Sequence, residues 1–75
     1  MKNDDKPDYD GIRDRIHNLR VKMDMTQEEF AEAAGLTSRG VSFIETGRRK
    51  TGLTTLYRIV KNLNVSFDYL VMGGF

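Results

Sequence analysis

The sequence predicts an all-α domain, a bundle of five short helices built around the stretch from Thr26 to Gly47. Three observations carry this. Apolar residues recur at helical spacing and nowhere alternate as a strand requires. Helix-start signals precede two short segments, and about three residues separate those segments, a turn too tight for antiparallel packing.

Residues 1–10 hold one proline, few apolar groups, two lysines and four aspartates, and are expected to form a flexible acidic tail with a net charge of −2. The domain then runs from 11 to 75. Ile12, Ile16, Leu19 and Met23 form one stripe of a first helix that ends near Asp24, a residue type tolerant of the left-handed conformation. His17 lies beside that stripe and, having no partner in sequence, is read as a partly exposed surface residue.

A second helix, 27–34, starts with Thr26 and Glu29 spaced as a capping box and with Met25 and Phe30 spaced as a hydrophobic staple. The third, 38–46, has Thr37 as its cap, Leu36 and Val41 as a staple, and Gly47 as a left-handed stop. Its core side is Val41 and Ile44, with Gly40 at the edge allowing close approach of the second helix. Ser38, Arg39, Ser42, Phe43 and Thr46 face the other way, a polar surface that no fold needs for stability.

After Arg48, Arg49 and Lys50, a fourth helix places Leu53, Leu56, Val60 and Leu63 inward and Thr54, Thr55, Arg58, Lys61 and Asn62 outward, and Asn64 closes it. Ser66 caps a short fifth helix stapled by Val65 and Leu70, and Gly73 and Gly74 end it.

A chain of 75 residues buries only about 60% of the surface its unfolded form exposes, so a large cleft is not expected. With no cysteine and one histidine there is no zinc constellation, and no cofactor is expected. No nucleophile is paired to a base, which argues against an enzyme. The N-terminus lacks a basic-then-apolar leader and no apolar run would cross a bilayer, so a cytoplasmic protein is expected. Charge is uneven: residues 38–50 carry four cations against Glu45, a local patch suited to phosphates. Two motif matches are set aside. Asn64-Val65-Ser66 fits a glycosylation acceptor but spends Ser66 as a cap, and the Lys50-Thr51 pair lacks the glycine spacing and the strand of a phosphate-binding loop.

Four pieces together, IHNLR in the first helix, TQEEFAEAAGL in the second, VSFIETGRR at the end of the third and NVSFDYLVMGG at the C-terminus, resemble a known family. It is that of the helix-turn-helix DNA-binding domains of the phage lambda and 434 repressors and Cro, the XRE or Cro/C1 type. The resemblance covers Gly11 to Gly74. It implies a lambda repressor-like fold whose third helix enters the major groove while the second lies across the backbone. By position it implies base-edge contacts from Ser38, Arg39, Ser42 and Phe43. Phosphate contacts fall to Gln27, Thr46, Arg48, Arg49 and Lys50, and Arg20 and Glu45 match a partly buried ion pair.

The chemistry of these residues fits the roles implied. An arginine can offer two parallel donors to guanine O6 and N7, and a phenyl ring suits a thymine methyl. Three positions depart from the family pattern. Thr51-Gly52 replaces Pro-Ser before the fourth helix, the N-terminus is acidic where one relative has a basic arm, and Phe43 stands where polar residues are common.

The expected function is a sequence-specific, double-stranded DNA-binding transcriptional regulator, a repressor acting by binding alone. One helix in one groove reads few base pairs, so a homodimer on a palindromic operator is expected. Tyr69, Val71, Met72 and Phe75 would supply its apolar interface. The rival reading is a helix-turn-helix protein-interaction module, an antitoxin or adaptor, which Phe43 and the apolar C-terminus would suit.

Overall fold

The computed structural model describes residues 6–73. They form five helices, α1 (Tyr9–Lys22), α2 (Gln27–Ala34), α3 (Ser38–Glu45), α4 (Leu53–Leu63) and α5 (Phe67–Met72), and no strand. Local chemistry fixes the starts of four. Thr26 Oγ1 accepts from the Glu29 amide at 3.1 Å while Glu29 Oε1 accepts from the Thr26 amide at 2.9 Å, completing the capping box. Thr37 accepts from the Gly40 amide and Ser66 from the Tyr69 amide in the same way. Left-handed residues end the segments where the sequence allows it: Asp24, Gly35, Gly47, Asn64 and Gly73.

The first helix starts earlier than its apolar stripe. Asp8 caps α1 by accepting from the Gly11 amide at 3.1 Å, so residues 8–10, assigned to the tail by composition, are its cap and first turn. A short N-terminal aspartate is a good cap however acidic its neighbourhood. Gly52 starts α4 with no side-chain cap, as its departure from Pro-Ser suggests.

The core gathers one face of every helix: Ile12 and Ile16 of α1, Phe30, Ala31 and Ala34 of α2, Val41 and Ile44 of α3, Leu56 and Ile59 of α4, and Leu70 of α5. Two expectations for α4 change. Ile59 is fully buried and Leu53 is 72% exposed, because the helix turns Leu56, Ile59, Val60 and Leu63 inward and leaves its first residue beyond the edge of the bundle. Gly40 also differs. A Cβ there would meet only the Thr37 hydroxyl, at 3.0 Å, so the glycine accommodates the helix cap and not an approach of α2.

The packing α2 against α3, with α1 and α4 on either side, sets the pose of the third helix. Two α4 side chains pin the α2–α3 turn. Asn62 Nδ2 donates to the Ala34 carbonyl at 2.8 Å, and Arg58 Nη1 to the Gly35 carbonyl at 3.2 Å, so carbonyls left open at the end of α2 are satisfied from outside the helix. Asn62 is exposed, as expected, and its amide also holds the turn. At the other end of the bundle Arg15 donates to the carbonyls of Leu70 (Nε, 2.8 Å) and Val71 (Nη2, 3.0 Å), tying α5 to α1.

Candidate nucleic-acid interface

Glu45, the last residue of α3, faces inward towards α1 with its side chain only 5% exposed. Arg20 grips it with two parallel bonds, Nε to Oε2 at 2.7 Å and Nη2 to Oε1 at 3.0 Å, and uses Nη1 on the Met25 carbonyl at 2.8 Å. Two more groups converge on Oε1: Gln27 Nε2 at 3.0 Å and His17 Nδ1 at 3.1 Å. Burial pushes the Glu45 carboxyl up, but the hydrogen bonds from Arg20, Gln27 and His17 and the charge of Arg20 outweigh it, and the group is held below the usual carboxylate range. The same hydrogen bond to Glu45 raises Arg20 against its own desolvation. One carboxylate therefore joins α1, α2 and α3.

This network changes two readings. Gln27, to which the resemblance assigns a phosphate contact, is half-buried with its amide committed to Glu45. His17 is a member of the cluster and not merely a surface residue. Its separation from Glu45 in sequence left no local signal, because only the α1–α3 crossing brings them together.

The outward face of α3 is its opposite. No hydrogen bond or ion pair among the described residues engages the side chains of Ser38, Arg39 or Ser42. Ser38 and Arg39 are exposed and Ser42 is half-buried. Thr46 is exposed, but its hydroxyl donates back to the Ser42 carbonyl at 2.9 Å, leaving only its acceptor lone pairs outward.

Phe43 has a different place from the one its sequence position suggests. Its carbonyl accepts from the amides of Arg48 (2.9 Å) and Arg49 (3.2 Å), wrapping the chain around the left-handed Gly47. Its half-buried ring lies beneath the guanidinium groups of Arg49 and Arg48, with centroid distances of 5.1 and 5.8 Å. Such cation–π contacts hold a charge in place without neutralising it. Lys50 is similarly set over the Tyr9 ring at 5.1 Å. Arg48, Arg49 and Lys50 are all exposed, and none has a carboxylate within salt-bridge distance among the described residues.

Two helices at a tight turn, one bearing polar groups and followed by three cations that no described residue pairs, make a surface that can accept phosphates at its rim and base edges at its centre. A sequence model of the family described as helix-turn-helix matches residues 16–70. The chain belongs to the helix-turn-helix family.

This is a family of DNA-binding transcription regulators and not of enzymes. Two HTH-type transcriptional regulators of Archaeoglobus fulgidus are similar to the chain. One is 33% identical over 57 residues, 76% of this chain and 80% of the relative. The other is 34% identical over 59 residues, 79% and 84%. Among solved structures, this helix-turn-helix chain is similar to the P22 c2 repressor in complex with a synthetic operator. The TM-score is 0.72 at 25% identity, covering 84% of this chain and 96% of that one. It is also similar to SinR, the master regulator for biofilm formation, in complex with DNA, with a TM-score of 0.70 at 28% identity, covering 79% and 95%.

The expected interface at the C-terminus is placed only in part. Met72 is 74% exposed and Tyr69 is at the edge of exposure, but Val71 packs against the core and its carbonyl is taken by Arg15. Phe75 lies outside the described residues. Leu53 and Phe67 add exposed apolar surface that the sequence pattern did not mark. No helix among the described residues is long and apolar enough to cross a membrane.

Proposed function

We propose that the chain is a cytoplasmic repressor that recognises a palindromic operator as a homodimer, with α3 in the major groove and binding alone as its mechanism. The observation that carries this reading is the division of α3: Glu45 is locked inward, while Ser38, Arg39 and Ser42 keep their hydrogen-bonding capacity unspent. In the duplex Arg39 reads guanine, Ser38 and Ser42 make less selective contacts, and Arg48, Arg49 and Lys50 meet phosphates. Gln27 holds Glu45 and offers its remaining amide oxygen and second N–H to the backbone side. Phe43 orders the basic loop, and whatever ring edge the guanidinium groups leave uncovered is available to a thymine methyl.

The complexes formed by the P22 c2 repressor and SinR support the DNA reading. The covered ring of Phe43 counts against the protein-interaction alternative, since α3 then presents no bare aromatic anchor. For the dimer, Met72 and Tyr69, extended by Leu53 and Phe67, supply apolar surface on the α5 side. Half-sites would lie about 34 Å apart, one turn of the duplex.

The test is selection of bound sequences from random duplexes. A palindromic consensus with half-sites one helical turn apart is expected. An absence of enrichment, with affinity insensitive to salt, would refute DNA reading and favour the protein-interaction module.

A further inference from the structure

The α3–α4 side of the molecule holds a cleft of about 470 Å³ that the base-reading surface does not include. It opens between the α2–α3 turn, the inner edge of α3, the basic loop and the outer face of α4. Gly35, Gly40, Arg49, Lys50, Thr55 and Arg58 contribute to its walls. No aspartate or glutamate among the described residues lines it. The four ion pairs found among the described residues are formed by Arg13, His17 and Arg20, all of α1, and none by Arg49, Lys50 or Arg58.

Arg58 stands apart from the other cations of the cleft. It lies midway along α4, well beyond the basic loop, and is exposed. Its one hydrogen bond, from Nη1 to the Gly35 carbonyl, is long and solvent-exposed at 3.2 Å. The neighbouring Asn62 already holds the turn through a shorter, part-buried bond. A guanidinium has five N–H donors, so Arg58 is aimed at the turn by one and keeps four for another acceptor. That position sets it beside the start of α3, whereas Arg48, Arg49 and Lys50 follow its end.

We propose that Arg58 binds a backbone phosphate of the DNA duplex, adding a contact from α4 beside the start of the recognition helix, at the opposite end from the basic loop. This rests on the DNA reading above. Leu36 and Ile44 form the floor of the cleft. The cations and hydroxyls on its walls, with no carboxylate among the described residues, suit a phosphodiester oxygen at the Arg58 end, where the fork of an arginine can hold two oxygens at once. The contact carries no base information and sets the register of α3 along the groove.

The experiment compares wild type, Arg58→Gln and Arg58→Lys on the selected operator from low to moderate salt, together with their melting temperatures. Loss of one phosphate contact should reduce the slope of log affinity against log salt by about one. The variant's affinity deficit would then shrink roughly three- to fourfold between 50 and 200 mM salt. Arg58→Gln should show this with the consensus unchanged, and Arg58→Lys should restore most of the slope by restoring the charge. An Arg58→Gln variant with the wild-type slope, or with an affinity loss that only follows a lower melting temperature, would overturn the proposal while leaving the DNA reading intact. A wild type without salt-dependent duplex binding would overturn the DNA reading itself. A third arm titrates inorganic pyrophosphate. Saturable binding lost in Arg58→Gln, with an unchanged duplex slope, would assign the cleft to a free phosphoanion and overturn the duplex contact.

Discussion

The inner and outer faces of α3 treat charge in opposite ways. On the α1 side a nearly buried carboxylate is surrounded by Arg20, Gln27 and His17, and all three bond to it. On the outer side Arg39 has no bonded partner among the described residues, and Arg48 and Arg49 rest on the ring of Phe43, which steadies them without cancelling their charge. The difference teaches how a domain this small can be both stable and receptive. Polar groups are saturated where water is excluded, because an unpaired charge there is costly, and left open where a nucleic acid would supply the partners.

The largest expected effect breaks the inner face. Arg20→Ala leaves Glu45 buried without its main partner and should destabilise the fold by about 2–3 kcal/mol, lowering the melting temperature by on the order of 10 °C or more. A variant that melts with the wild type would show that the network contributes nothing to stability.

Next comes the outer face. Arg39→Ala should leave the melting temperature nearly unchanged, as an exposed substitution does, while the preference at one base pair relaxes by about 1–3 kcal/mol. An unaltered selected consensus would remove Arg39 from the reading. Arg48→Ala should act differently from both. All sequences should bind more weakly by a similar factor, with a salt slope smaller by about one, which a titration at several ionic strengths reads directly.

The smallest effect follows from the acidity of Glu45. Its carboxyl is held below the 4.5 of an unperturbed glutamate, so the folded state gains stability that is fully present above that pH and is lost as the pH falls through the lower folded value. The stability gap between wild type and Arg20→Ala should therefore narrow as the pH is lowered below 4.5. Urea unfolding at stepped pH measures it, and a gap independent of pH would detach the pair from the acid response.

Helix starts were legible because they are local. Thr26, Thr37 and Ser66 are caps whose partner amides lie three residues on, and the turn at Gly35 and the stop at Gly47 need no distant help. The start of α1 was obscured because composition marked residues 8–10 as tail, whereas a single hydrogen bond from Gly11 to Asp8 decides the cap. The phase of α4 was harder to read, since a run with Leu53, Leu56, Ile59, Val60 and Leu63 offers more apolar residues than one stripe can hold. Only the position of the neighbouring helices leaves Leu53 outside.

The sequence by itself determined that there are five helices, where most of them start and stop, and which residues of the third could face a partner. The periodicity of apolar side chains and the chemistry of caps act over a few residues and need no knowledge of the rest of the fold. Only the tertiary structure decided what those polar residues do when no partner is present. It placed His17 and Gln27 on Glu45, slid Phe43 beneath two arginines, and set Arg58 against the turn before α3. Each of these meetings joins different helices or a helix to a loop, and no local rule of sequence encodes a distance between segments that only packing brings together.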